Sequence, residues 1–327
     1  MRWPSRCLVA AAVAVGALVS MGAMAAGTPA SSLQRRIAIT IDDLPWATMG
    51  DETPATLAEF HPRLVAAMKD AGVPVIGFVN EGKLVSEGKV ETSRVHLLKD
   101  WLDAGLNLGN HSYSHADLHA VGLEVYESDI LRGEVFLRPL LAEHDKKPEW
   151  FRHPYLRAGR TPGDKAALKA FLADHGYKIA PVTVDTSDWV WAAAYRKALA
   201  AGDTAALGKL REDYVAYMVS KVDYFESQSI LLLGYNLPQI LLMHANEINA
   251  DCYGKLIDGI RGRGYDFITL ETAMQDPAYQ RDDAYLGKWG PSWIHRWAIG
   301  ESKPSEFFAG EPKVSAWVMT LAEIDSE

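Results

Sequence analysis

Two histidines four residues apart, His111 and His115, are the part of this sequence that most directly indicates chemistry. Side chains with that spacing lie on one side of a helical turn, so both imidazoles can reach one cation. The run before them, 106–110, is short and apolar and ends in turn residues, as a buried strand does. Ligands at the carboxyl end of a strand are typical of α/β enzymes. The pair therefore predicts half of a metal site, with two surface histidines in a polar loop as the alternative.

A second candidate group lies upstream, where the β-prone residues 37–41 lead into the adjacent carboxylates Asp42 and Asp43. Neighbouring side chains at a strand end point in different directions. One carboxylate can therefore bind a cation while the other stays free as a base. Pro45 follows and stops the strand. The alternative is an Asp-Asp-x-Pro turn that caps the next helix.

Together these segments resemble the NodB-homology polysaccharide deacetylases, the metal-dependent carbohydrate esterases of family 4. Where that family has Thr-[Phe/Tyr]-Asp-Asp, this chain has Thr40-Ile41-Asp42-Asp43. Where the family has His-[Ser/Thr]-x-[Ser/Thr]-His, the chain has His111-Ser112-Tyr113-Ser114-His115. Three further family motifs follow in order: Phe151-Arg152-His153-Pro154-Tyr155, Asp185-Thr186-Ser187-Asp188-Trp189 and Ile240-Leu241-Leu242-Met243-His244. Five short motifs in the family's order are far more specific than any one of them.

The resemblance implies a metal-dependent hydrolysis. Asp43, His111 and His115 would bind a divalent metal. Zinc is the first choice for two imidazoles and one carboxylate, and cobalt, nickel and iron are the alternatives. Asp42 would be the general base that takes the proton from the attacking water. His244 would be the general acid that protonates the leaving amine.

The same resemblance assigns supporting residues. The backbone N–H of Tyr155 would help to hold the tetrahedral intermediate. Arg152 would pair with the general base and keep it ionised in a partly buried site. Asp188 would orient the acid His244 and keep it cationic, with Asp185 as the alternative partner.

Trp189 and Leu242 would form the walls of a small apolar pocket for the acetyl methyl group. The sequence departs from the family pattern at two positions near the carboxylates. Leu44 replaces the usual glycine after them, and Ile41 replaces an aromatic residue. A bulky Leu44 would narrow the floor of the site or shift the loop that carries Asp43. These departures bear on the substrate more than on the reaction.

Strand-like and helix-like runs alternate along the chain, which is typical of a parallel sheet in an α/β fold. The predicted strands are 36–41, 73–79, 106–110, 150–153, 178–184, 239–244 and 266–270. The clearest predicted helices are 54–71, 93–104, 123–143 and 204–228. With the resemblance, this pattern predicts a single distorted (β/α)7 barrel.

Aromatic residues crowd the region after residue 276 among Gly, Pro and charged residues: Tyr279, Tyr285, Trp289, Trp293 and Trp297, with Trp317 near the end. We predict a deacetylase domain over 33–277 and an aromatic-rich C-terminal extension over 278–327 that packs on the barrel. Its aromatic residues would seal an open side of the barrel or form a platform for sugar rings. The spacing does not separate these two hypotheses.

Residues 1–25 are predicted to be a signal peptide. Two arginines precede an apolar run, 8–21, which ends in Ala23-Met24-Ala25, an A-x-A cleavage pattern. The run is too short for a comfortable membrane span. We therefore expect export to the periplasm or the medium after cleavage near Ala25, without a stable membrane anchor. The formal net charge of −9 argues against nucleic acid and anionic membranes as partners.

The sequence thus predicts a metal-dependent deacetylase that removes N-acetyl or O-acetyl groups from a polysaccharide or other glycan. The first alternative is a metal-dependent amidase that acts on a small non-sugar substrate. The second alternative is a glycan-binding protein without activity on the same scaffold. The natural substrate and the oligomeric state are not predicted.

Overall fold

The computed structural model describes residue 1 and residues 34–47 and 53–327. Its strands, in chain order, are β1 (Arg35–Leu44), β2 (Val75–Val79), β3 (Val85–Ser86), β4 (Lys89–Val90), β5 (Asn107–Asn110), β6 (Trp150–Phe151), β7 (Lys178–Ile179), β8 (Gln239–His244) and β9 (Tyr265–Phe267). Strands β3 and β4 form a separate antiparallel hairpin. The other seven strands form one sheet and overlap the seven predicted strands, although β7 ends at Ile179 and β9 at Phe267, short of the predicted 184 and 270.

Helices alternate with these strands. They are α1 (Pro54–Ala71), α2 (Thr92–Asp103), α3 (Leu118–Val121), α4 (Leu123–Arg132), α5 (Leu137–Ala142), α6 (Pro162–Asp174), α7 (Asp188–Ala201), α8 (Thr204–Leu233), α9 (Glu247–Arg261), α10 (Leu270–Ala273), α11 (Trp293–Gly300) and α12 (Ala316–Ala322). Short 3-10 turns cover Glu81–Leu84, Pro154–Leu156, Pro277–Gln280 and Ser305–Phe308.

The main sheet is parallel and has the strand order β7-β6-β5-β2-β1-β8, with β9 paired to the first residues of β1. It curls into a half-barrel, which confirms the predicted α/β fold of the distorted-barrel type. β1 lies between β2 and β8, and its residues 37–42 are buried. Since strands covered on both faces are apolar along their length, this explains why 37–41 has no polar alternation.

Helix α1 begins and ends where its sequence predicts. The Thr53 side chain accepts a hydrogen bond from the Thr56 N–H, and Pro54 occupies the first helical position. Gly72 ends the helix in the left-handed region with φ 63°. These local signals decide the helix bounds without help from tertiary packing.

The predicted single helix over 123–143 is wrong, because the chain forms two helices, α4 and α5, with a break between them. The break begins at Gly133, which lies against the histidine loop. A β-carbon at Gly133 would lie 3.0 Å from Asn110 Oδ1 and 3.0 Å from the Ser112 carbonyl carbon. Close packing against that loop therefore interrupts the helical pattern.

The C-terminal extension lies in the same compact unit as the barrel, residues 33–327. Trp293 and Trp297 of α11 and Val318 of α12 are buried in the hydrophobic cluster that contains Ile39 of β1. The domain boundary at 277 stays a prediction. The predicted signal peptide, apart from Met1, lies outside the described residues. Within the described residues, no helix combines the length and the apolar character needed to cross a membrane.

A buried carboxylate, Glu81, links the turn after β2 to the start of α5. Its Oε1 accepts hydrogen bonds from the N–H groups of Phe136 at 3.0 Å and Leu137 at 2.6 Å. Burial raises the pKa of Glu81 to about 7, although these N–H groups oppose the shift. Ionisation of Glu81 therefore costs free energy in the folded state.

We expect the free energy of unfolding to fall as pH rises from the unfolded-state pKa of Glu81, 4.5, through about 7. Below that range the carboxyl is protonated in both states, and above it the folded state carries a buried charge. Glu81→Gln keeps an acceptor oxygen but cannot ionise. In this variant the pH-dependent fall in the free energy of unfolding should therefore be smaller by about 3 kcal/mol. Urea unfolding at pH 5 and pH 8 measures the effect. The exposed Glu124→Gln is the control, and an equal pH dependence in both variants would contradict the prediction.

Candidate metal and catalytic site

The paired carboxylates stand at the carboxyl end of β1. Asp42 pairs in register with His244, the last residue of β8, so the two side chains come from adjacent strand ends. Asp43 has a left-handed backbone with φ 71°, which is uncommon for a residue with a side chain. That turn of the backbone separates the directions of the two carboxylates, as the sequence predicts.

Leu44 does not narrow the floor of the site. Its side chain is fully buried in the main hydrophobic cluster, above Gly77 of β2. A β-carbon at Gly77 would lie only 2.2 Å from Leu44 Cδ1 and 3.0 Å from Trp101 Cζ2. The absence of a side chain at 77 therefore makes room for Leu44 in the core. The expectation that Leu44 narrows the floor of the site is wrong for this reason, whereas a shift of the loop that carries Asp43 stays a prediction.

We expect Gly77→Ala to lower the free energy of unfolding by about 1–3 kcal/mol, because overpacked cores force side chains out of their preferred positions. Displacement of Leu44 should also disturb the neighbouring Asp43 and weaken metal binding. Urea unfolding and metal titration measure the two effects. The double variant Gly77→Ala/Leu44→Ala should lose less free energy of unfolding than the two single variants lose in sum, because Leu44→Ala removes the atom that the added β-carbon meets. Gly254→Ala on α9, whose added β-carbon meets nothing within 4 Å, is the matched control.

Asp43, His111 and His115 bring three potential metal ligands together. Asp43 Oδ1 lies 3.6 Å from His111 Nε2 and 3.4 Å from His115 Nε2. One ligand atom from each residue lies within 4.8 Å of the others. The two imidazole rings are 4.9 Å apart between centroids. The sequence therefore predicts the composition of this group correctly.

The donor atoms of this group fit a cation. His111 Nδ1 lies 2.8 Å from the Arg152 carbonyl oxygen, so Nδ1 carries the proton and the Nε2 lone pair points towards Asp43. Asp43 Oδ1 is buried and has no hydrogen-bond partner among the described residues. A buried carboxylate oxygen between two imidazole nitrogens is costly unless something positive lies there. A divalent cation meets that requirement.

The protonation states agree with a ligand role. Burial lowers the pKa of His111 well below its ordinary value, and the nearby His115 lowers it further. Burial also lowers the pKa of His115. Burial raises the pKa of Asp43, but Lys83, with Nζ 3.5 Å from Oδ2, and the histidines hold it below its ordinary value. The group is therefore one carboxylate and two neutral imidazoles near pH 7, the form that binds metals.

Asp42 is buried next to the three donors. Arg152 Nη1 lies 3.5 Å from Asp42 Oδ2, and Arg152 Nη2 donates to Thr40 Oγ1 at 3.0 Å. Burial raises the pKa of Asp42 to about 6, while Arg152 and His244 oppose that shift. The predicted pairing of Arg152 with Asp42 is present, and the guanidinium is itself fully buried.

His244 forms the second half of the site with Asp188, the first residue of α7. His244 Nδ1 lies 2.7 Å from Asp188 Oδ1, and Asp188 Oδ2 accepts from the His244 N–H at 2.9 Å. Asn249 also donates to Asp188 Oδ2 at 2.9 Å. Burial lowers the pKa of His244, but Asp188, with Asp43 and Asp42, outweighs burial and raises it to about 9. Of the two candidate aspartates, the structure places Asp188 against His244, whereas Asp185 lies near Lys221.

The remaining candidates lie around this centre. The Tyr155 ring lies 4.5 Å from the His115 ring between centroids, and its backbone is left-handed with φ 55°. Leu242 is buried in β8 and pairs with Thr40 of β1. Trp189 is partly buried against the main hydrophobic cluster. The acetyl pocket and the role of the Tyr155 N–H stay predictions.

Sequence reasoning missed the residues that hold the histidine loop. Asn80 Nδ2 donates to the His111 carbonyl at 2.6 Å, and Asn110 Oδ1 accepts from the Ser112 N–H at 2.7 Å. Lys83, which neutralises Asp43, was missed as well. Both asparagines stand at or just after the carboxyl end of a strand, and this position was the signal that could have identified them.

Residues 30–179 match the family model for polysaccharide deacetylase. The chain is similar to a family 4 carbohydrate esterase from Streptomyces lividans in complex with acetate (20% identity, 73% of this chain and 95% of that chain, TM-score 0.45). It is also similar to peptidoglycan deacetylase PdaC from Bacillus subtilis (17%, 76% and 96%, TM-score 0.45). A third similar structure is BA3943, a CE4 family pseudoenzyme from Bacillus anthracis (16%, 74% and 66%, TM-score 0.48). No curated protein matches the chain.

Proposed function

Because residues 30–179 match the polysaccharide deacetylase family, we propose that this protein is a metal-dependent hydrolase that removes N-acetyl or O-acetyl groups from a glycan. The observation that carries the proposal is the group of three donor atoms of Asp43, His111 and His115 within 4.8 Å of one another. The buried carboxylate of Asp42 and the partly buried His244 lie at neighbouring strand ends, and His244 pairs with the buried Asp188 of α7. Zinc suits this set of ligands best.

Asp43, His111 and His115 would hold a divalent metal, which when bound would supply the Lewis acidity that lowers the pKa of water and polarises an acetyl carbonyl. Asp42 takes the proton from the attacking water. A pKa of about 6 suits that task, because the carboxylate is ionised at neutral pH and is still basic enough to accept a proton. Arg152 holds the Asp42 carboxylate in place and limits the rise of its pKa.

His244 donates a proton to the leaving nitrogen or oxygen. Its pKa of about 9 keeps the imidazole protonated at neutral pH. Asp188 accepts from Nδ1, so the proton on Nε2 is the one available to the substrate. Base and acid thus start the reaction in opposite protonation states, which hydrolysis of an amide requires.

Acetate release tests the proposal. The protein is stripped of metal, reloaded with zinc or cobalt, and incubated with N-acetylglucosamine oligomers and with peptidoglycan. Release that depends on the added metal is the expected result. Absence of release from every glycan by protein that binds one equivalent of metal would overturn the deacetylase and favour an amidase with a small substrate or a binding protein.

A further inference from the structure

A strip of aromatic and cationic side chains leads from the metal donors to the C-terminal extension. It begins at Tyr155, whose ring lies beside His115 and is 53% exposed. Arg157 Cζ lies 5.2 Å from the Tyr155 ring centroid and 5.9 Å from that of Trp289. Lys288 Nζ lies 4.6 Å from the Trp289 ring centroid. We call Tyr155, Arg157, Lys288 and Trp289 the Tyr155–Trp289 strip.

Close packing fixes the extension at this place. A β-carbon at Gly290 would lie 1.9 Å from the Tyr155 carbonyl oxygen, so the two backbones are in direct contact there. Arg296, which is fully buried, donates to the Leu156 carbonyl and pairs with Asp283 at 3.0 Å. The position of Trp289 relative to Tyr155 is therefore determined by the fold.

Core packing does not account for Trp289. Trp293 and Trp297 in the same extension are buried, whereas Trp289 is 63% exposed. The two hypotheses for the aromatic residues of the extension thus apply to different residues. We expect the buried tryptophans to seal the barrel and the exposed Trp289 ring, which shares the Arg157 guanidinium with the exposed Tyr155 ring, to be a surface for a ligand.

The charge of the strip favours an anionic ligand. Arg157 and Lys288 flank the exposed rings in a protein of formal net charge −9. Arg157 is paired with Asp117, which fixes its guanidinium beside Tyr155. Lys288 is exposed, and its ammonium group is held above an aromatic face. Aromatic faces accept the C–H faces of pyranose rings, and the Lys288 ammonium group complements a carboxylate, whereas the charge of Arg157 is already balanced by Asp117.

We propose that the Tyr155–Trp289 strip is a subsite for a carboxylate-bearing sugar unit next to the acetylated unit at the metal donors. The proposal rests on the proposed function, because the strip starts beside His115. The substrate is then an acidic N-acetylated glycan, and the C-terminal extension takes part in binding it.

Binding of two tetrasaccharides of equal length tests the subsite. Hyaluronan tetrasaccharide carries carboxylates, and chitotetraose is neutral. Titration calorimetry in the zinc-loaded Asp42→Asn protein avoids turnover. We expect about tenfold tighter binding of the hyaluronan fragment, and a preference that weakens in 0.5 M NaCl. Lys288→Gln should reduce this preference.

Trp289→Ala should weaken binding of both tetrasaccharides about tenfold or more, as loss of a central aromatic contact does. Trp289→Phe, which keeps an aromatic face, should restore much of it. Leu231→Ala is the control, because Leu231 is equally exposed (66%) but lies near the end of α8, which leads into the amino end of β8, whereas the metal donors follow the carboxyl ends of strands.

Unchanged affinity in Trp289→Ala, or equal affinity of the parent protein for the two tetrasaccharides, would overturn the subsite. Acetate release by the protein with Asp42 intact is measured in parallel. Binding of the acidic tetrasaccharide that depends on Trp289, without any acetate release, would support the subsite and refute the hydrolase. Metal-dependent release with no effect of Trp289→Ala on binding would refute the subsite alone.

Discussion

Asp42→Asn is expected to reduce acetate release by about 1000-fold and to leave the metal content unchanged. The amide has nearly the shape of the carboxylate but cannot take a proton from water. Asp42 Oδ2 lies 3.8 Å from His111 Nε2, beside the donor group and outside it, so the three ligands keep their geometry. The turnover number and the metal content per chain are the two measurements.

Asp251→Asn is the matched control. Asp251 is also a buried, ion-paired aspartate, with Arg63 and Arg211 as its partners. It lies on α9, and its partners Arg63, Arg211 and Tyr195 are not site residues, so its substitution should lower stability and leave turnover unchanged. Activity retained in Asp42→Asn would assign the base to another group, and a loss of metal in that variant would make Asp42 a ligand.

His111→Ala should abolish metal binding and activity together. The substitution removes one of the three donors. The donor that is lost is His111 Nε2, whose lone pair is fixed because Nδ1 lies 2.8 Å from the Arg152 carbonyl oxygen. Since loss of a residue that only orients a ligand weakens metal binding 10–100-fold, loss of the ligand itself should weaken it by at least about 100-fold. Metal titration and acetate release with excess zinc measure the two effects.

A second buried histidine provides the control for this prediction. His153 stacks on Tyr126 and packs against Phe151, and burial lowers its pKa to about 3. His153→Phe keeps an aromatic ring there and should leave metal affinity unchanged. Activity of His111→Ala without bound metal would show that the proposed mechanism is wrong.

The positions of the ligands could be predicted from sequence because each follows a strand. In a parallel sheet the carboxyl ends of neighbouring strands meet at one edge, so local motifs suffice to bring Asp43, His111 and His244 together. The strands are recognisable because buried parallel strands are continuous apolar runs. These two facts account for the agreement between the predicted and the observed sheet.

Residues whose roles depend on packing between distant segments could not be predicted in this way. The choice between Asp185 and Asp188 depends on how the first turn of α7 meets β8. The role of Lys83 depends on how the turn after β2 lies against β1. The break at Gly133 depends on the approach of a loop that is distant in sequence. A sequence pattern within one segment does not predict its contacts with a segment that is distant in sequence.

The contact between Leu44 and Gly77 also constrains the order in which the two residues could have arisen. A β-carbon at 77 would lie 2.2 Å from Leu44 Cδ1, so a side chain at 77 and the leucine at 44 fit together only if Leu44 shifts. A chain with glycine at 77 can therefore carry Leu44 without that cost, whereas a chain with a side chain at 77 carries Leu44 at the cost expected for Gly77→Ala. Once Leu44 is present, a side chain at position 77 is disfavoured until position 44 changes. Divergence at the residue next to Asp43 is thus controlled by a residue on the adjacent strand that takes no part in the chemistry.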